Sequence, residues 1–268
     1  MQHLTRTLVW LLLAALALQM FFVLHVALLL VFDPHSTAFM RSEAWRIATA
    51  SLSTDKRWRW SHQWVDYPQI SPHLKRAVLA SEDAGFVTHG GVDWDAIESA
   101  WEKNQKQQQL AEKRAEQQER QQEKQRAKQA EGTAPPPKPA KPVKPAKVVG
   151  GSTISQQLAK NLLLSGERHL LRKAQELLLT LTLEALLSKQ RILEIYLNSV
   201  EWGEGVFGAE AAARRYFNKP ASQLNPSEAA RLAVMLPSPK FFENRQNSAY
   251  LAQRTATIVA RMGAVSPP

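Results

Sequence analysis

The chain has 268 residues, enough for one ordinary domain with accessory segments. Its formal charge of +10 favours an anionic partner, either nucleic acid or the head groups and diphosphates of a membrane. The sequence contains no cysteine, which excludes a disulfide framework and any cysteine-ligated metal site.

The N-terminal segment predicts a membrane anchor. No charged residue occurs between Thr7 and Phe32, and a helix needs only about 20 apolar residues to cross a bilayer. A cleavable signal peptide is the alternative, but its apolar region would be about 7–15 residues long, which is shorter than this one. We therefore expect residues 1–35 to form a short N terminus followed by a single transmembrane helix.

The charges that flank the span predict its orientation. Arg6 precedes the span and Asp33 follows it. By the positive-inside rule, the N terminus lies in the cytoplasm and the rest of the chain lies outside. We also expect this anchor to be separable from the folded part of the chain, with a role in concentrating the protein at the membrane.

Residues 40–104 predict helical and mixed structure. The segment that starts with Ser71 and Pro72 has a good helix start, because serine caps a helix and proline fits its first turn. The residues that follow place Leu74, Ala77 and Val78 on one apolar stripe.

Residues 105–147 form a polar tract with eleven basic and five acidic side chains. Its first half, rich in Gln, Glu, Lys, Arg and Ala, predicts either a solvated helix or a disordered segment. Its second half, PPPKPAKPVKPAK, predicts extended polyproline II structure. We expect the whole tract to be an insertion that splits the folded part into two sequence blocks.

The second block, residues 148–268, begins with a glycine pair and the helix-cap candidates Ser152 and Thr153. Ile154, Leu158 and Leu162 then share one helix face, while a second face carries two Gln, a Lys and an Asn. Such a polar face can hold a diphosphate or sugar hydroxyls. An ordinary amphipathic helix with a solvent-facing side explains the pattern equally simply.

A long helical stretch follows, with Glu176 set among leucines. A carboxylate set among leucines is a candidate for a role in chemistry. A surface pair between Arg172 and Glu176, four residues apart on a helix, is the alternative.

Five motifs in order resemble those of glycosyltransferase family 51, which contains the transglycosylase domains of class A penicillin-binding proteins and the biosynthetic peptidoglycan transglycosylases. The motifs are SEDAGFVTHGGVD (81–93), GGSTISQQLAKN (150–161), RKAQE (172–176), KQRILEIYLN (189–198) and GVFGAEAAARRYFNK (205–219). The resemblance runs over about residues 64–101 and 148–262. It implies a mostly α, lysozyme-like, two-lobed domain with one N-terminal transmembrane helix. A transpeptidase domain needs Ser-x-x-Lys, Lys-Thr-Gly and Ser-x-Asn motifs. Ser53–Lys56 fits the first pattern by accident and the other two are missing, which favours the monofunctional branch.

The resemblance implies an inverting transfer in which a growing glycan on undecaprenyl diphosphate is the donor and lipid II is the acceptor. By motif position Glu82 is the general base and Glu176 is the second catalytic carboxylate. The expected substrate-binding residues are Asp83, Gln157, Lys160, Asn161, Arg168 and Arg172, with Lys160 and Arg168 on the diphosphate. The expected structural residues are His89, Asp93, Ser152 and Thr153.

No residue is assigned as a metal ligand, although Mg2+ or Mn2+ can assist at a diphosphate. The expected partners are lipid II, the growing glycan strand, the membrane, and divisome or elongation proteins, with no nucleic acid. The expected location is the bacterial inner membrane with a periplasmic catalytic domain. Two other functions stay open: a lysozyme-like enzyme that cleaves glycan, and a non-enzymatic envelope adaptor built on the anchor and the Lys-Pro arm.

The sequence departs from the family pattern in three places. Ala84 and Gly85 stand where basic residues often follow the Glu-Asp pair, and Ser99 stands where Arg or Lys is common. The third departure is the polar tract at 105–147, where the family usually has a short connection. The missing charges bear on rate and affinity rather than on the type of reaction.

Overall fold

The computed structural model describes residues 2–53, 59–130, 150–164 and 170–268. The described helices in chain order are α1 (Gln2–Leu28), α2 (Ala38–Ser53), α3 (Pro72–Glu82), α4 (Trp94–Ala130), α5 (Ile154–Leu163), α6 (Leu170–Leu186), α7 (Lys189–Ser199), α8 (Ala209–Phe217), α9 (Pro226–Met235), α10 (Pro239–Glu243) and α11 (Ala249–Arg261). Three short strands, β1 (Ser61–His62), β2 (Glu201–Gly203) and β3 (Val206–Phe207), form one sheet in the order β1-β3-β2. Strand β3 pairs parallel with β1 and antiparallel with β2. The mostly helical class predicted from the sequence is confirmed.

The chain divides into two compact units. The larger unit comprises Met1–Val92 and Thr153–Pro268, and the smaller comprises Asp93–Ser152. The larger unit therefore joins the two sequence blocks on either side of the polar tract. It contains ten of the described helices and all three described strands.

Helix α3 forms as the sequence predicts. The Ser71 hydroxyl accepts a hydrogen bond from the His73 backbone N–H at 3.2 Å and donates one to the Leu224 carbonyl at 2.8 Å. Leu74, Ala77 and Val78 are fully buried, and α3 packs against α9 and α11. Burying a large aliphatic side chain contributes about 1.5–3 kcal/mol, so this stripe fixes the helix whose last residue is Glu82.

Helix α1 is long and apolar enough to cross a membrane, judged by length and composition: the stretch His3–Leu28 has 26 residues, and its 18-residue window has a mean hydropathy of 2.4. Most of its side chains are exposed. At its C-terminal end, however, Val26 and Leu29 are buried in the same core as α3. The anchor is therefore continuous with the folded part, which differs from the expectation of a separable segment.

Arg191 on α7 binds the residues at the C-terminal end of the anchor. Its guanidinium donates to the backbone carbonyls of Leu29 at 2.8 Å and Phe32 at 3.0 Å, and it pairs with Asp33 at 2.8 Å. The carbonyls at a helix C-terminus have no partner within the helix. Arg191 thus satisfies two of the backbone groups that follow the span.

The smaller unit contains the 37-residue helix α4, which starts with Asp93 Oδ1 accepting from the Ala96 N–H at 2.8 Å. The first half of the polar tract is part of this helix. Of the two alternatives predicted for residues 105–130, a solvated helix or a disordered segment, the structure therefore shows the helix. Its Gln, Glu, Lys, Arg and Ala residues are strong helix formers. The expected boundary at 104/105 falls inside α4. The second half of the tract, from residue 131 to 147, lies outside the described residues.

Candidate active site

Glu82 is the last residue of α3, which holds its carboxylate at the end of a buried helix. Ser81 Oγ donates to Oε1 at 3.4 Å, and Gln157 Nε2 donates to Oε2 at 3.3 Å. Burial raises the pKa of Glu82 above its ordinary value, the two hydrogen bonds oppose that rise, and the neighbouring Asp83 adds to it. A carboxylate with a raised pKa is a stronger proton acceptor once it is ionised.

Asp83 turns away from Glu82 into a network of its own. Its two carboxylate oxygens lie 2.9 and 3.1 Å from His89 Nε2, and Oδ2 also accepts the Ile154 backbone N–H at 2.9 Å. The Gly91 N–H donates to His89 Nδ1 at 3.1 Å, so the ring proton is on Nε2 and points to Asp83. Ile154 is the first residue of α5. Asp83 therefore ties the start of α5 to the end of α3.

Thr153 caps helix α5, and Gln156 completes a capping box with it. The Thr153 hydroxyl also donates to the Gly91 carbonyl at 2.6 Å. Gly91 has a φ of +94°, and an added Cβ would come within 2.8 Å of Glu184 Cγ. This position thus requires glycine, both for its backbone conformation and for the close approach of α6.

Lys189, in the fourth motif, supports the same loop. Its Nζ donates to the His89 carbonyl at 2.7 Å and to Glu184 at 2.8 Å, and it lies 4.5 Å from the centre of the Phe86 ring. The first, second and fourth motifs therefore converge on one buried support behind Glu82.

The two adjacent glutamines of α5 have different roles. Gln156 is buried and engaged in the capping box. Gln157 lies between two other side chains: its Oε1 accepts from the Tyr196 hydroxyl at 3.0 Å, and its Nε2 faces Glu82. Burial, together with the negative Glu82 and Asp83, raises the pKa of Tyr196, which keeps its hydroxyl protonated as the donor. Tyr196 thereby fixes the amide of Gln157 with its N–H toward the carboxylate.

A cavity of about 460 Å³ opens beside the hydrogen-bonded residues Tyr196 and Gln157. It is lined by Phe39, Ser42, Gln157, Lys160, Asn161, Leu164, Arg172, Tyr196, Val200, Glu201, Leu236 and Pro239. Its walls thus combine apolar side chains with two cations and several hydrogen-bonding groups. That combination suits a ligand with anionic and sugar-like parts.

Glu176 lies behind one of those cations. It is only 4% exposed, its Oε2 is 3.4 Å from Arg172 Nη1, and its Oε1 pairs closely with Lys173 Nζ. The pair with Arg172 expected from the four-residue spacing is present, but the carboxylate is buried rather than on the surface. Glu176 thus holds Arg172, and Arg172 lines the cavity.

The structure gathers many of the predicted site residues around one cavity. It is lined by Gln157, Lys160, Asn161 and Arg172. Glu82 contacts the lining residue Gln157, and Glu176 contacts the lining residue Arg172. Arg168 lies outside the described residues.

The predicted structural residues and Asp83 lie behind the cavity or apart from it. Asp83, His89 and Thr153 form the support behind the cavity. Asp93 and Ser152 belong to the smaller unit, where Asp93 caps α4. Whether Asp83 also contacts substrate stays a prediction.

Among the cavity residues that were not predicted, Tyr196 and Glu201 carry titratable groups. Tyr196 lies within the fourth motif, and its spacing on α7 looks like that of any core tyrosine. Glu201 follows that motif by three residues. The only sequence signal for it is a carboxylate within an otherwise apolar and aromatic stretch, SVEWG.

The chain is similar to known proteins over most of its length. A family model described as transglycosylase matches residues 50–127 and 141–263, so the break between the matched segments falls within the polar tract. A biosynthetic peptidoglycan transglycosylase of Burkholderia pseudomallei (strain K96243) is 47% identical over 255 residues, covering 95% of this chain and 84% of the relative. A protein of the same description from Burkholderia vietnamiensis (strain G4 / LMG 22486) is 48% identical over 256 residues, covering 95% and 87%.

Proposed function

The chain belongs to the transglycosylase family and is a peptidoglycan glycosyltransferase; from this premise we propose that it polymerises lipid II into β-1,4 glycan strands with release of undecaprenyl diphosphate. One observation carries the proposal: a half-buried carboxylate, Glu82, is joined through Gln157 to a cavity that presents two cations, Lys160 and Arg172. A base next to a cavity that presents two cations is what such a transfer requires.

Glu82 acts as the general base. The acceptor sugar's 4-hydroxyl gives its proton to the Glu82 carboxylate as its oxygen bonds to the anomeric carbon of the donor. The bond from that carbon to the diphosphate breaks at the same time, and the electron pair leaves with the diphosphate. Attack opposite the leaving group inverts the anomeric configuration. Because burial raises the pKa of Glu82, the active, ionised form accumulates at a higher pH than for an ordinary glutamate.

Lys160 and Arg172 stabilise the leaving group. A diphosphate is already stable as an anion, so fixed cations can take the place of the acid that a glycosidase uses. Arg168, expected on the same diphosphate from its motif position, belongs to this proposal as well. Glu176 acts through Arg172, since its carboxylate holds that guanidinium and balances its charge in a buried position.

The residues that line the described cavity offer a divalent cation few ligands. Mg2+ prefers oxygen ligands, usually one or two carboxylates plus substrate phosphates. Among the described cavity residues, Glu201 is the single carboxylate, and Glu176 is engaged by Lys173 and Arg172. We therefore assign Mg2+ or Mn2+ no step, and at most a place on the phosphates of the substrate.

We propose that α1 spans the bacterial inner membrane once, with the catalytic unit in the periplasm. The apolar stretch His3–Leu28 and the preceding Arg6 support this orientation. Lipid II is confined to the same bilayer, so a shared surface raises the effective concentration of enzyme and substrate. Divisome or elongation proteins are expected as neighbours in that membrane.

Incubation of the purified full chain with lipid II in detergent tests this function. A synthase converts lipid II into longer glycan, a lytic enzyme of the lysozyme type shortens preformed glycan, and an envelope adaptor leaves both unchanged. Glu228→Gln is a matched control for substitutions of the base, because Glu228 forms a surface pair with Lys219. Shortened glycan, or no product from folded wild-type protein, would contradict the proposal.

A further inference from the structure

Glu201 is a buried carboxylate for which the mechanism above has no use. It begins strand β2, directly after α7, and its side chain is only 6% exposed. It lines the same cavity as Lys160 and Arg172. A negatively charged carboxylate would repel an anionic substrate in the same cavity, so its presence there needs a physical explanation.

Its hydrogen bonding is incomplete. Among the described residues, none donates a hydrogen bond to Glu201 Oε1, which is fully shielded from solvent. Lys240 Nζ lies 3.5 Å from that oxygen, and the Gly205 backbone N–H also faces the carboxylate. A buried polar atom without a partner is costly in a folded protein. Because Glu201 lines the cavity, its carboxyl group can complete its hydrogen bonding with a bound ligand, which donates to the carboxylate or accepts from the protonated acid.

The network around Lys240 does not neutralise it, although the cations Lys160 and Arg172 line the same cavity. Lys240 lies closer to Glu43, at 2.5 Å, than to Glu201, and it is 3.7 Å from Glu204. Arg46 pairs with Glu43 at 2.7 Å and with Glu204 at 2.5 Å. Three carboxylates thus share two cations, which leaves one negative charge in excess.

The hydroxyl of Tyr216, on α8, is another titratable neighbour, and it donates to the Trp202 carbonyl at 2.7 Å. Burial raises the pKa of Glu201 to about 7, with Lys240 opposing the rise and Glu43 and Glu204 adding to it. Near neutral pH the side chain therefore exists both as a carboxylate and as a carboxylic acid.

We propose that Glu201 is a substrate-contacting residue of this cavity, whose protonated carboxyl donates a hydrogen bond to the acetamido carbonyl of a bound amino sugar. A carbonyl oxygen accepts but never donates, so it pairs with the acid and not with the carboxylate. The acid also adds no negative charge to a cavity that must hold a diphosphate. This inference rests on the proposed function, since it takes the ligand to be the glycan substrate.

The consequence is a substrate affinity that falls as the pH rises. If the protonated form alone binds, the apparent KM scales with the inverse of the protonated fraction. With a pKa of about 7, KM should rise about tenfold between pH 6 and pH 8. Glu82 acts in the opposite direction, because its ionised form is the active base. The pH profile of kcat/KM should therefore have a rising limb from Glu82 and a falling limb from Glu201.

Steady-state kinetics of the full chain on lipid II, at pH 6 to 8, test the proposal. Glu201→Gln keeps the shape and donates at every pH, so its KM should vary less than about twofold across the range. Glu201→Ala loses the contact, and its KM at pH 6 should rise about threefold to tenfold. Glu204→Gln is the matched control, because Glu204 shares the Lys240 and Arg46 network but is not a lining residue. It should keep the pH-dependent rise in KM, moved to somewhat lower pH because Glu204 adds to the raised pKa of Glu201.

Three results would overturn the assignment. They are a Glu201→Gln KM that rises with pH as in the wild type, a Glu201→Ala KM equal to the wild type at pH 6, and a Glu204→Gln KM that no longer depends on pH. A wild-type protein that makes no glycan contradicts the proposed function instead. The two failures are therefore distinguishable in one set of measurements.

Discussion

Replacing Asp83 by Asn tests whether the active site depends on the link between α3 and α5. The carboxylate accepts from two buried donors, His89 Nε2 and the Ile154 N–H, at 2.9 Å each. An asparagine of the same shape retains one acceptor oxygen and turns an N–H group toward the other donor. We therefore expect the loss of at least one hydrogen bond to a charged group, worth about 1.5–3 kcal/mol. The interaction of the negative charge with the start of α5 adds about 0.3–1 kcal/mol.

The total, about 2–4 kcal/mol, should lower Tm by about 4–16 °C, at about 2–4 °C per kcal/mol for a domain of this size. Helix α5 carries Gln157 and Lys160, so a small displacement of its start should lower kcat about tenfold to a hundredfold. KM should change less than about threefold. Because Asp83 raises the pKa of Glu82, the variant shifts the rising limb to lower pH, and kcat is compared on the plateau above it.

Thermal unfolding and lipid II kinetics of Asp83→Asn check this reasoning. Asp66→Asn is the control, since Asp66 is exposed and makes no side-chain cap; its Tm and kcat should match the wild type. An Asp83→Asn protein with an unchanged Tm and a strongly raised KM would refute the positioning role. That outcome would support the direct substrate contact predicted from the motif.

Three other predictions concern the cavity, the anchor and the polar tract. Lys160→Ala should slow turnover strongly and Lys160→Arg less so, because the role is charge stabilisation of a diphosphate; equal kcat for wild type and Lys160→Ala at saturating lipid II would rule this role out. Deleting residues 1–35 should lower Tm as well as activity on liposomes, because two anchor residues are buried in the core; a truncated protein with wild-type Tm would count against this. Replacing residues 105–147 by about ten flexible residues should change the loop-closure free energy by only about 1.3 kcal/mol, in the favourable direction, and leave the rate in detergent near wild type. A loss of more than about tenfold with intact circular dichroism would show that the tract gates the cleft.

Local patterns predicted local structure well. The stripe of Leu74, Ala77 and Val78 predicted the buried face of α3, and the four-residue spacing of Ile154 and Leu158 predicted that of α5. Cap chemistry was equally readable, because a capping side chain and its partner are only a few residues apart. The composition of the tract's first half, rich in strong helix formers, left the helix open as one of two alternatives.

Contacts between distant residues could not be predicted in this way. Periodicity places Gln156 and Gln157 side by side, but only the fold shows that the first completes a cap and the second connects Tyr196 to Glu82. The docking of α1 depends on Arg191, which is 162 positions from the Leu29 carbonyl that it binds. The surroundings of Glu201 come from three separate elements. In each case the chemistry depends on a side chain supplied by another part of the chain.

The rate of Glu82→Gln on lipid II tests the central claim most directly. Glutamine keeps the shape and can still pair with Gln157, but it cannot accept the proton of the acceptor hydroxyl. A general base contributes about 10²–10⁴-fold, so the purified variant should make glycan at no more than about 1% of the wild-type rate, with wild-type Tm and lipid II binding. A Glu82→Gln protein that polymerises lipid II at more than about a tenth of the wild-type rate would contradict the assignment of Glu82 as the base.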